Sequence, residues 1–208
     1  MMMRVWSTLG VLMWALAVQA EPACPIKVSS PSTVPAVLFA DQPVCVRTPA
    51  MPPALRTDHY HRPTPDCVPN AIALSTLQLQ QLIKERDPVL IDVMAVLERY
   101  EPDFGHEWLP NEPRESLPNA VWLPNVGYGT LPPHIEKYLS TELERLTKGA
   151  KTKPIVLFCL ADCWMSWNAA QRVKALKYEA VYWYKWGTDG WKEAGLPLVE
   201  VKPVPVQP

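Results

Sequence analysis

Between Ala71 and Val199, short β-branched or aromatic runs alternate with stretches whose apolar residues recur every three or four positions, and that alternation restricts the fold more than any other feature. Ser75 is an expected N-cap for a helix over TLQLQQLIKE, and Pro88 introduces VLIDV, a continuous apolar run containing Asp92. NAVWLP supplies a short strand around Val121 and Trp122. A long helix is expected from Pro133 to Thr147, with Ile135, Leu139, Leu143 and Leu146 as one apolar stripe. KPIVLF, ending at Phe158, reads as a central strand; a helix is expected from Ser166, its N-cap, with Ala169, Ala170, Val173 and Leu176 on one face. VYWYKW is the last expected strand of the series, before a short helix opened by Asp189. This order predicts an α/β domain over residues 71–199, a parallel sheet with right-handed crossovers and helices on both faces. About 130 residues suffice for one core and not for two. Ligands in such sheets bind beyond the carboxyl ends of the strands, where Asp92, Cys159 and Gly187 are expected to meet.

The segment FCLADCWMSWNAA places Cys159 at a strand end and Cys163 in the turn before a helix. Unpaired N–H groups and the positive end of the helix dipole favour thiolate over thiol there, so Cys159 is the expected reactive sulfur. A Cα separation of about 6 Å would let Cys163 form a disulfide with it. The plainer alternative makes Cys159 a small buried hydrophobe and Cys163 a packing residue or half of a structural bridge.

Residues 1–20 have Arg4 as their sole charge, an apolar stretch from Leu9 to Val18 and a small-residue site ending at Ala20, the pattern of a secretory signal peptide. The apolar stretch is too short for a membrane span, so no span is expected after cleavage. Beyond it the balance is 19 basic against 21 acidic residues, which argues against nucleic-acid binding. Residues 21–70 hold 11 of the 24 prolines and no glycine, so they are expected to form an irregular arm that can wrap the domain. Cys24, Cys45 and Cys67 lie in this arm, and a Cys24–Cys45 or Cys45–Cys67 bridge is expected to hold it. The total of five cysteines is odd, which leaves at least one thiol free or exchangeable in a monomer. His59 and His61 flank Tyr60 in a proline-rich loop, too little for a metal site, and none is expected. Residues 200–208 form a proline-rich tail.

LIDV, the LPNAV turn, IVLFC before an Ala-Ala helix and VYWYKWGTDGWKEAGLPL together resemble a rhodanese domain across nearly all of residues 71–199. DVM, WLPNVGYG, FCLADCWMSWNAA and GTDGW more narrowly resemble the exported rhodanese-like family named for a CXXCW motif and associated with PQQ-dependent catabolism of alcohols. The spacing here is Cys159, three residues, Cys163, Trp164. The resemblance implies the periplasm of a Gram-negative bacterium and a quinoprotein dehydrogenase or cytochrome as partner. It also implies that Cys159 stands where the family's sulfur-carrying cysteine stands, and Asp92 where its strand-end aspartate stands. Met94 replaces an arginine common after that Asp-Val pair, and the loop is one residue longer, with Asp162, Cys163, Trp164 and Met165 where polar donors are usual.

No basic residue occurs between Phe158 and Gln171, so an anionic sulfur donor lacks a local cation and thiosulfate-type sulfurtransfer ranks third. The leading expectation is an exported accessory protein of PQQ-dependent alcohol oxidation whose Cys159/Cys163 pair performs redox or sulfur-relay chemistry. Its rival is a non-catalytic binding module with that pair as a permanent bridge. No cofactor is required on either reading, although association with PQQ is compatible with both. Asp162, Trp164 and Ser166 are expected to support the site. His106, in the proline- and charge-rich stretch from Arg99 to Ser116, is the candidate base reaching Cys159 from a lid. Five tryptophans between Trp164 and Trp191 read as packing or, alternatively, as an aromatic wall for a flat ligand.

Overall fold

A computed structural model describes residues 45, 54–103 and 105–206; the expected leader and Cys24 lie outside them. A five-stranded parallel sheet has the spatial order β1–β8–β7–β2–β6, formed by β1 (Ile72–Ala73), β2 (Val89–Asp92), β6 (Val121–Trp122), β7 (Ile155–Phe158) and β8 (Val181–Tyr184). Parallel neighbours need crossovers, and these supply the helices. Helix α1 (Thr76–Arg86) opens on a capping box, with Ser75 Oγ accepting from Gln78 N–H and Gln78 accepting from Ser75 N–H. Helix α2 (Pro133–Thr147) starts on proline, whose missing N–H costs nothing in the first turn. Helix α3 (Trp164–Ala175) follows β7, and α4 (Gly187–Glu193) follows β8.

Side-chain alternation along the strands sorts the core into two layers. Ile91, Ile155, Leu157, Val181 and Trp183 pack with α2 and α3. Leu90, Val156, Phe158, Tyr182 and Tyr184 pack with α1 and Trp191 of α4. The central strands are buried throughout, which is why VLID, IVLF and VYWY read as unbroken apolar runs apart from one aspartate. One rung of the register aligns Trp122, Asp92, Phe158 and Tyr184 at the carboxyl edge.

Several expectations change at their margins. Helix α3 begins two residues before Ser166, with Cys163 as its N-cap, and α4 begins at Gly187 with Asp189 in its first turn. Asp189 accepts from Ala161 N–H at 2.9 Å and so ties α4 to the cysteine loop. The Arg99–Ser116 stretch contains strand structure. β3 (Leu97–Glu101) and β4 (Gly105–Leu109) form an antiparallel hairpin, and β5 (Arg114–Ser116) pairs with β9 (Val199–Val201). The proline-rich tail is likewise seated: Val204 O accepts from Trp108 Nε1 at 2.7 Å and Tyr138 Oη at 2.8 Å. No helix among the described residues is long and apolar enough to cross a membrane.

Candidate active site

Cys159 leaves the end of β7 on the α2/α3 side of the sheet, and Cys163 closes the same loop four residues later. Asp162 adopts a left-handed conformation, φ 51°, and turns the chain so that Cys163 takes the N-cap position, φ −101° and ψ 110°. The sulfur of an N-cap residue faces the unpaired amides of the first turn. No side-chain capping hydrogen bond forms at Cys163, but the neighbouring Cys159 thiol first, and then the nearby amides of Met165, Ser166 and Leu160, pull it below the ordinary cysteine value despite its burial. Burial, reinforced by the neighbouring Cys163 sulfur and the Asp92 charge, pushes Cys159 well above that value. The two thiols shift in opposite directions, Cys163 downward and Cys159 upward, whereas the sequence pointed to Cys159 as the reactive sulfur. Helix α3 begins two residues earlier than Ser166, which places Cys163 at its N-cap. Both cysteines are unbonded and buried. Cys159 Sγ also lies 3.7 Å from Met94 Sδ.

Ser166 locks this first turn from within it. Its hydroxyl donates to Cys163 O at 2.9 Å and accepts from Trp183 Nε1 at 2.9 Å, so β8 and α3 share one hydroxyl. Gly187 has φ +53°, and a Cβ there would collide with Cys159 O, so only glycine allows α4 to approach the loop this closely. Thr188 N–H then donates to that same carbonyl at 3.0 Å.

Asp92 is fully buried below the loop. It accepts from Met94 N–H at 3.0 Å, Arg114 Nε at 2.9 Å and Ser116 Oγ at 2.6 Å. Burial nevertheless raises its carboxyl above the ordinary value against these three donors. Arg114 is the cation that the loop lacks, and its charge also draws the Cys159 thiol downward. Sequence reasoning missed it because it enters from β5, a strand recognisable only by pairing with β9 at the far end of the chain.

The arm also bears on the site as a strap. Cys45 and Cys67 form a disulfide, one of the two expected pairings. Between that bridge and the domain, Arg56 N–H donates to Asn168 Oδ1 and its guanidinium lies 4.8 Å from the centre of the Trp164 ring. Tyr60 O accepts from Trp164 N–H at 2.8 Å, and His61 forms a β-bridge with Cys163 itself. Asp162 accepts from Thr64 N–H and Oγ1, both at 3.0 Å, so its charge is engaged with the strap. Lys185 secures the same segment through Thr64 O and Asp66. The strap thus lies across the cysteine loop.

On the other side, a cavity of about 800 Å³ is lined by Met94, Arg114, Trp122 and Tyr128, among others, and Met94 connects it to Cys159. His106 is elsewhere: its Nδ1 lies 2.6 Å from Glu98 and its ring stacks on His134, so it does not serve as a base at Cys159. Of the five tryptophans from Trp164 to Trp191, four are core residues and Trp186 alone is exposed, at 45 %, which favours packing over an aromatic wall. His59 is exposed beside Asp58, and no metal-binding group forms around it among the described residues.

A cysteine loop between a parallel strand and the next helix, above a buried aspartate, is what the fold builds at the carboxyl edge of its sheet. A rhodanese-like domain model matches residues 75–194, and the chain belongs to that family. Among solved structures it is similar to a thiosulfate sulfurtransferase from Pseudomonas aeruginosa, at 17% identity and TM-score 0.43, covering 63% of this chain and 20% of that one. It is also similar to the polysulfide-sulfur transferase homodimer from Wolinella succinogenes, at 19% identity and TM-score 0.40, covering 62% and 79% respectively. The chain therefore spans a fifth of the first of these chains. No curated protein matches it.

Proposed function

We propose that this rhodanese-like protein is a dithiol relay for sulfur or disulfide exchange, exported to the periplasm, in which Cys163 attacks and Cys159 resolves. The observation that carries the reading is the pair of unbonded cysteines in one strand-to-helix loop, Cys163 at the N-cap of α3 and Cys159 just beyond β7, with Cys163 drawn downward by its neighbour and Cys159 pushed upward by burial. Cys163 thiolate attacks a disulfide, forms a mixed disulfide and expels one thiolate. Cys159 then loses its proton to that leaving thiolate and attacks Cys163 sulfur. The second substrate thiolate departs, leaving a Cys159–Cys163 bridge. The substrate gains two electrons and the protein loses two; a partner dithiol must return them. With a persulfide donor the same first step leaves the outer sulfur on Cys163, to be passed to an acceptor thiol.

The export pattern of residues 1–20 and the CXXCW-type motifs support placing this relay beside PQQ-dependent alcohol oxidation, with a quinoprotein dehydrogenase or cytochrome as partner. The rival, a binding module with no chemistry, draws on the burial of both sulfurs beneath the strap. Thiol trapping and mass spectrometry across a defined redox series separate the two. A relay gives a pair potential above about −300 mV, and with a small disulfide Cys159→Ser accumulates a mixed adduct on Cys163, whereas Cys163→Ser forms none. A bridge that resists reduction below that potential identifies a structural staple, and adducts confined to Cys159 reverse the roles. Cyanide-dependent turnover of thiosulfate would establish the third reading.

A further inference from the structure

Glu98, His106 and His134 converge away from the cysteine loop, where the β3–β4 hairpin meets the first turn of α2. Glu98 Oε1 lies 2.6 Å from His106 Nδ1 and 2.6 Å from His134 Nε2. The two imidazoles stack with centroids 3.9 Å apart and planes 14° apart, and Tyr100 packs against His106. His134 makes a hydrogen bond to the carboxylate. His106 Nδ1 is buried and makes none, despite its distance from the same oxygen. A buried ring nitrogen aimed at a carboxylate without a hydrogen bond is unfavourable unless a third group joins them. A cation among the three atoms removes that difficulty.

We propose that Glu98, His106 and His134 bind one divalent transition-metal ion of the zinc type. Two imidazole nitrogens and one carboxylate oxygen are borderline donors that suit zinc and disfavour calcium or magnesium, which take oxygen shells. Bonds of about 2.0–2.1 Å in a tetrahedron set ligand separations at about 3.3 Å, so each histidine nitrogen moves about 0.7 Å from Glu98 Oε1 and the near-parallel rings turn until both nitrogens face the ion. Their side chains are only 20–30 % exposed, enough for entry and little enough to restrict hydration. Three protein donors leave a fourth position. Glu98 lines the 800 Å³ cavity and both histidines line another of about 350 Å³, so the fourth position faces space that water or a ligand can enter. The ion would also fasten the hairpin to α2.

The test uses the full chain, stripped with a chelator and titrated with zinc against a chromophoric competitor. One equivalent binds, and affinity falls at least about 100-fold in His134→Ala and in His106→Ala. Glu98→Gln, close to isosteric, keeps the fold while losing the zinc-induced rise in melting temperature seen in the wild type. The thiols are the competing ligands, so a Cys159→Ser/Cys163→Ser variant retains the site. Cobalt substitution then gives d–d absorption without thiolate charge transfer. A stoichiometry unchanged in a His106→Ala/His134→Ala double variant, a thiolate charge-transfer band, or no competition by the wild-type chain would overturn the proposal.

Discussion

Cys163 and Cys159 share one loop and differ in surroundings, because one is the N-cap of α3 and the other the buried residue that follows β7. The difference has a direct consequence for pH. A thiolate held by donors persists to lower pH than an ordinary cysteine, and removing a donor moves its titration upward. Cys159→Ala removes the Cys159 S–H, so at pH 7 less Cys163 is ionised. Its reaction with a small disulfide should slow roughly tenfold, read together with thiolate absorbance on titration. A faster reaction would show that Cys159 was hindering the site and not supplying a proton. At this scale the sequence singled out Cys159, Cys163 and Asp92, which the fold gathers at one edge of the sheet, and it put the helix start at Ser166. That start lies two positions off, since Ser166 is the better N-cap by residue type, yet the left-handed turn at Asp162 brings Cys163 there first. His106 was misplaced for a different reason: its partners Glu98 and His134 come from separate elements, and no sequence spacing announces them.

Helices and buried strands were the most legible elements because each carries its own period or unbroken apolar run. The β3–β4 hairpin carried neither, being mostly half-exposed, charged and lacking clean alternation, so it read as a lid. β5 and β9 are three-residue strands that exist only by pairing with each other. The approach of α4 to the cysteine loop is also an element-scale property, resting on Gly187. Gly187→Ala introduces both a disfavoured φ and a collision with Cys159 O, and should destabilise the protein by about 1–3 kcal/mol in urea unfolding. Because Thr188 N–H is drawn off the same carbonyl, Cys163 reactivity should change as well. An alanine variant with wild-type stability and reactivity would mean that the loop accommodates the added methyl.

For the whole molecule, the strap is the feature that composition anticipated only as irregular chain. Its docking on Trp164, Asp162 and Lys185 depends on tertiary contacts that composition does not announce. Cys45→Ala/Cys67→Ala removes the bridge that anchors it. The double variant should lose about 3 kcal/mol of stability, as expected for freeing a loop of this length, and Cys163 should react faster with an aromatic disulfide reagent. Unchanged thiol kinetics would show that the strap remains seated without its bridge.

The position of the strap in the chain has a consequence for assembly. Its residues precede their partners at Gly129, Asn168 and Lys185 by 69, 112 and 121 positions. Contacts of such long range are expected to close late in folding. Until then Cys24, Cys45, Cys67, Cys159 and Cys163 share one unfinished chain, and an oxidant has several wrong pairs to choose from. Seating the strap ends that interval: it covers the loop of Cys159 and Cys163 as it brings its own cysteine, Cys67, into place.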